Sequence, residues 1–153
     1  MARFQQVIEY VCRRYESTYR LDENRLGLIL YLIDWRSAIE RRKPITDIAW
    51  RIEQFGPQPD LESSRFVISA VTACPPDFTS LSKHPLPAMK PIDLSAEEIG
   101  VIEFVISTVA MKSDHELQQL VHSTFPVLTQ PKTAPLNLVA LAAQYDREYR
   151  HAG

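Results

Sequence analysis

The hydrophobic pattern of this chain is densest between Leu26 and Trp35. Leu26, Ile29, Leu30 and Ile33 form one helical stripe, and Leu28, Tyr31, Leu32 and Trp35 add apolar groups on the remaining faces. A helix that is apolar around most of its circumference is packed by neighbours on several sides, so this segment predicts a central helix. Asp22 stands where an N-cap carboxylate would accept first-turn amide hydrogens, and the helix is expected to run to about Arg41. Gly27 costs such a helix about 1 kcal/mol relative to alanine, which fits either a close helix crossing or simple tolerance. Before it, Phe4, Val7, Ile8, Val11, Cys12 and Tyr15 follow the i, i+3, i+4, i+7 spacing of a helix over residues 2–19.

After Lys43-Pro44 the period changes. Ile48, Trp50 and Ile52 alternate with Ala49, Arg51 and Glu53, which predicts a short strand over 48–53, with a helix as the rival reading. Gly56-Pro57 breaks the chain. A third helix is expected over residues 60–73, then a proline-rich loop over 74–94 with a small hairpin near 77–92. Ser95-Ala96-Glu97-Glu98 and Ser113-Asp114-His115-Glu116 are two capping boxes, each opening a helix. Pro126, Pro131 and Pro135 mark a connecting loop, and a last helix is expected over 136–149. The fold class read from this pattern is mainly α. It is a single compact domain over 1–153 of about six helices with a small β element.

Bulk properties fit that reading. A chain of 153 residues with 45% hydrophobic content can bury a self-sufficient core. Its net charge of −2 argues against a dominant electrostatic grip on nucleic acid. Cys12 and Cys74 match no metal spacing and are expected as free thiols. No stretch approaches the roughly 18 apolar residues of a membrane span, and no leader pattern stands at the N-terminus, so the expected compartment is the cytoplasm.

Candidate chemistry is sparse. His115 and His122 lie seven positions apart, two helical turns, too far to share one metal ion. His122 reads most simply as a structural histidine. No serine sits in a Gly-x-Ser-x-Gly elbow, and with four glycines there is no phosphate-cradling loop. Glu97, Glu98 and Glu103 read as cap and surface groups. The chain is therefore expected not to be an enzyme and to need no cofactor or metal. Two basic runs remain, Arg13-Arg14 and Arg41-Arg42-Lys43. The second falls at a helix C-terminus, where positive charge complements the helix dipole. Trp35 reads as core; Trp50 and Phe55 fit either a core role or that of an exposed binding anchor.

Taken in order, Ile29-Leu30-Tyr31-Leu32, Pro44-Ile45-Thr46, Trp50 and Phe55-Gly56-Pro57 resemble the signature of the Panacea domain of SocA-like antitoxins. That signature has a Lys-Leu-Leu-Tyr-Phe-like helix centre, a Pro-Ile/Leu element, an aromatic residue and a Tyr-Gly-Pro-Val-like turn. Leu94-Ser95-Ala96-Glu97-Glu98 and Glu116-Leu117 through Leu120, His122 and Pro126 resemble its later half, so the likeness spans about 4–128 and leaves the C-terminal helix unmatched. Leu28 replaces the usual lysine, Phe55 the tyrosine of the turn, Gln58 the valine after Gly-Pro, and Val127 the tryptophan after the proline.

The resemblance implies an antitoxin, often encoded beside its toxin in prophages, that neutralises a cognate toxin protein by direct contact. One type is an adaptor that passes the toxin to a protease. The surface expected to meet the partner comprises Arg36, Arg41, Arg42, Lys43, Trp50, Phe55 and Pro57, with Tyr31, Gly56, Pro57 and His122 as structural motif residues. No membrane contact is expected, and a homo-oligomer stays open. A DNA-binding transcriptional regulator or another phage-associated interaction protein is the competing reading. A hydrolase using His122 with Glu116 or Asp114 has poor geometry, since all three share one short helix.

Overall fold

A computed structural model describes residues 3–16, 19, 21–54, 56–60, 65 and 94–150. The expected helix over 60–73, apart from Asp60 and Arg65, and the expected hairpin near 77–92 lie outside these residues, as does Phe55. Helix α1 is Arg3–Arg14, α2 Glu23–Arg41, α3 Ala96–Val109, α4 Asp114–His122, α5 Phe125–Thr129 and α6 Leu138–Tyr145, which runs into a π-helical turn, Asp146–Arg150. Strands β1 (Trp50–Glu53) and β2 (Gly56–Pro59) form an antiparallel pair. The molecule is thus a mainly helical domain with a small two-stranded element.

Helix α2 is central for the reason its pattern gives. Leu26, Leu28, Ile29, Leu30, Tyr31, Leu32, Ile33, Trp35 and Ala38 are all buried. It is packed by α3, α4, α6 and β2, while α1 lies on α3. Asp22 caps it, accepting from the Arg25 amide at 2.8 Å. Its C-cap, Arg42, adopts the left-handed conformation (φ 63°) and donates its amide hydrogen to the Ala38 carbonyl. That geometry is usually left to glycine. Both capping boxes are formed, Ser95 with Glu98 and Ser113 with Glu116. Helix α1 is joined to α3 through Glu103, whose Oε1 accepts from the Tyr10 hydroxyl and, at 2.7 Å, from Arg14 Nε.

The sheet explains where the prolines sit. Residues alternate along an antiparallel strand in the neighbour they hydrogen-bond. Trp50 and Ile52 turn to the segment 133–136: the Ile52 amide donates to Ala134 at 3.0 Å, and the Leu136 amide donates to the Trp50 carbonyl at 2.9 Å. Arg51 and Glu53 face Gln58 and Gly56 across β2, and the Asp60 amide donates to Ala49 at 2.9 Å. Pro57 and Pro59 therefore occupy the two β2 positions at which β1 asks for no N–H.

Three expectations need correction, and one open reading narrows. The loop through Pro126 contains α5, because a proline in the first helical turn lacks an N–H that would be unpaired anyway. The first helix stops at Arg14 rather than near 19. Cys12 is disulfide-bonded rather than a free thiol. At Gly27, apart from the helix itself, no atom lies within 4 Å of where a Cβ would be, so no close crossing by the described helices uses it.

Candidate functional site

The family-like residues converge on one carboxylate that sequence reading passed over. Asp34 is fully buried on α2. Its Oδ1 accepts the backbone N–H groups of Ile45 (3.0 Å) and Thr46 (2.9 Å). Its Oδ2 accepts Trp50 Nε1–H at 2.8 Å and pairs with the Thr46 hydroxyl. One side chain thereby fixes the Pro44-Ile45-Thr46 elbow and the first residue of β1 against the central helix. Burial pushes its carboxyl above the usual range; the hydrogen bonds from Thr46, Trp50 and Ile45 oppose that rise. Its signal in the sequence is a lone acid between Ile33 and Trp35, where every neighbour is core.

Tyr31, one turn earlier, is also fully buried. Its ring meets Trp50 edge-on with centroids 5.7 Å apart. Its hydroxyl lies 2.8 Å from Thr124 Oγ1. Because Thr124 Oγ1 donates to the Val121 carbonyl at 2.6 Å, the tyrosine is the donor of the first bond. Burial pushes the Tyr31 phenol up. Gly56 opens β2 at φ +116°, a backbone that side chains rarely tolerate, and a Cβ there would stand 3.3 Å from His122 Nε2. Pro57 beside it is buried. Tyr31, Trp50, Gly56-Pro57, His122 and Thr124, spread over nearly a hundred positions, thus form one contiguous assembly.

Trp50 is only 2% exposed, so its ring is part of the core and not a surface anchor; Asp34 supplies the buried acceptor that its N–H requires. The basic residues divide. Arg36 pairs with Glu40 at 2.8 Å and lies 4.3 Å from the Phe104 ring centroid. Arg41 is mostly buried, bonds Ser37 Oγ at 3.0 Å and faces Glu97 and Glu98. Arg42 donates to Asp146 Oδ2 at 2.5 Å and to the Ala142 carbonyl, joining the end of α2 to α6. Lys43 is exposed. His122 is exposed, with Gln118 Oε1 3.2 Å from its Nε2.

A second polar hub was not anticipated at all. Arg25 is fully buried, and its guanidinium donates to Tyr15 OH (2.6 Å), Asp114 Oδ1 (3.0 Å) and the carbonyls of Val109 (2.9 Å) and Lys112 (2.6 Å). Its charge completes the C-terminal end of α3, where unpaired carbonyls gather negative potential. It joins the residue after α1 to α2, α3 and α4. Two of its partners are backbone atoms, which leave no mark in a sequence. Among the described residues no cluster of three or more His, Cys, Asp or Glu could hold a metal ion, and no helix is long and apolar enough to cross a membrane.

This arrangement defines a class of protein: a helical domain in which a buried aromatic and carboxylate pair on the central helix anchors a Gly-Pro hairpin. The family model "Antitoxin SocA-like, Panacea domain" matches residues 28–126, more than half of the chain, and the chain belongs to that family. The match takes in Tyr31, Asp34, Trp50, Gly56 and His122 and stops before α6. No curated protein and no solved structure matches the chain.

Proposed function

We propose that this chain is an antitoxin that silences a partner toxin by direct protein–protein contact and makes or breaks no bond itself. Membership of the SocA-like antitoxin family over residues 28–126 carries the reading. The arrangement of the motif residues supports it. Tyr31, Asp34 and Trp50 are buried, with Trp50 bonded to Asp34 and Tyr31 to Thr124, so they build a scaffold and leave recognition to the surface it holds. Stable neutralisation needs an interface of roughly 1,600 Å² in total with a few anchoring side chains.

The test is co-expression with the protein encoded by the adjoining reading frame. Growth arrest by that protein alone, relieved by this chain, is the expected result. Toxin half-life in the same cells separates the two modes: unchanged for simple masking, shortened where the chain is an adaptor to a protease. Arrest that persists with this chain in excess would count against the reading.

A further inference from the structure

Among the described residues, five large apolar side chains stand exposed: Phe104, Met111, Leu128, Val139 and Tyr149. Three of them lie beyond residue 126, where the family match ends. Leu128 (69% exposed) is on α5 and Val139 (41%) on α6, two helices that pack together. Tyr149 (61%) lies with its ring 5.8 Å from Phe125 and 5.4 Å from Tyr145. Tyr145 in turn meets Trp35 of the central helix edge-on at 5.9 Å, so Tyr149 is held by a ladder of rings rather than hanging from a loose end.

The charge along the segment that leads through these groups is one-sided. From Leu117 to Tyr145 the sequence has no Asp or Glu, in a chain that carries 19 of them; Lys132 is the charged residue of that stretch. Asp146, which ends it, is mostly buried and shares its Oδ2 with Arg42. That bond ties the end of α2 to the start of the π-helical turn, and the residues that follow the bonded pair, Lys43 and Arg147, are both exposed. Glu148 is the acid of this corner, and it accepts from Gln144 Nε2 at 3.3 Å.

We infer that the α5–α6 face, with Leu128, Val139 and Tyr149 at its centre and Lys43, Lys132 and Arg147 around it, is the surface on which this chain receives an acidic protein face. The inference rests on the proposed antitoxin reading for the identity of that protein, but not for the chemistry. An exposed aromatic and aliphatic patch with three cations, Lys43, Lys132 and Arg147, against one carboxylate, Glu148, complements apolar side chains ringed by Asp and Glu. A phosphate backbone would use the cations but leave Leu128 and Val139 idle, and the chain's net charge of −2 opposes it at long range. The apolar centre of the patch, Leu128, Val139 and Tyr149, lies beyond the matched region, and Lys43 lies within it.

The test has two arms. In the first, affinity for the adjoining-frame protein is measured for the native chain, Lys43→Glu/Arg147→Glu, Tyr149→Ser, and Phe104→Ser as a control on another face. Expected are at least tenfold losses for the first two variants, a steeper loss at high salt for the native chain than for the charge reversal, no change in affinity for the control, and a folded state retained by every variant at the temperature of the measurement. A complex that ignores both patch variants overturns this surface and leaves the antitoxin reading standing. In the second arm, a photo-crosslinking residue is placed at 149 or at 104 in cells. If the first arm yields no complex, the antitoxin reading fails; the surface still stands if position 149, and not 104, gives an adduct with an acidic protein that the charge reversal abolishes. No adduct, an adduct with nucleic acid, or an adduct with a second copy of this chain overturns it.

Discussion

The indole N–H of Trp50 donates to Asp34 Oδ2 at 2.8 Å, with both side chains inside the protein. This bond joins the central helix to the first strand across sixteen positions, and it accounts for two things together. A carboxylate can sit in the most apolar helix of the chain because four donors meet it. An aromatic residue of the family signature can be buried with its polar edge satisfied.

Asp34→Ala would leave the Ile45 and Thr46 amides, the Thr46 hydroxyl and the Trp50 indole short of their acceptor. A loss of about 3–5 kcal/mol is expected. In a domain of this size that is a fall in melting temperature of roughly 6–20 °C, measurable by calorimetry. Asp34→Asn keeps one oxygen for the two amides but turns an amide group toward Trp50 Nε1–H, so about 1–3 kcal/mol is expected.

The pH dependence of that pair follows from burial. The Asp34 carboxyl titrates higher in the folded protein than its unfolded value of about 3.9. Its contribution to stability is therefore complete below about pH 4 and is lost as pH rises through the folded value. Asparagine does not titrate, so the penalty of Asp34→Asn shrinks as pH is raised from 4. Melting curves of both proteins across pH 4–8 check this; a penalty that grows with pH would contradict it.

Arg25→Met keeps much of the side-chain volume but withdraws all four hydrogen bonds of the guanidinium. About 3 kcal/mol of destabilisation is expected, because the Lys112 and Val109 carbonyls stay where they are. Arg25→Lys should lie between, since an ammonium cannot span Tyr15, Asp114 and two carbonyls as a planar fork does. Urea denaturation of the three proteins gives the order.

Gly56→Ala forces a Cβ into a backbone at φ +116° and toward His122. A loss of about 1–3 kcal/mol is expected, mostly from the backbone. His122→Ala in the same chain removes the neighbour but not the dihedral cost, so the double variant should recover only a small part. Full recovery in thermal melts would show that the crowding, and not the backbone, fixes glycine here.

Helix architecture was legible in the sequence wherever the signal is local. The all-round apolar α2, its Asp22 cap and the boxes at Ser95 and Ser113 depend on residues within a turn of one another, and they stand where expected. Long-range polar contacts were not legible. Arg25 reads as an ordinary first-turn arginine because its acceptors on α3 and α4 are more than eighty positions away. The segment 133–136 meets β1 through its own backbone atoms, so its proline and threonine read as loop. Trp50 was ambiguous because the sequence gives its polarity but not the location of an acceptor. Asp34 could have settled it: a single acid in a core helix demands donors, and Thr46 and Trp50 were the nearest candidates. The basic elbow was legible as charge but not as use, since Arg41 faces Glu97 and Glu98, and Arg42 holds Asp146.

The central claim is that this chain acts by occupying another protein with a folded surface. The most direct measurement titrates the purified adjoining-frame toxin with this chain and follows toxin activity. Activity should fall linearly and vanish near one equivalent, with Lys43→Glu/Arg147→Glu shifting the curve to higher concentration. Toxin activity that stays constant through a large molar excess of the folded native chain would contradict the account.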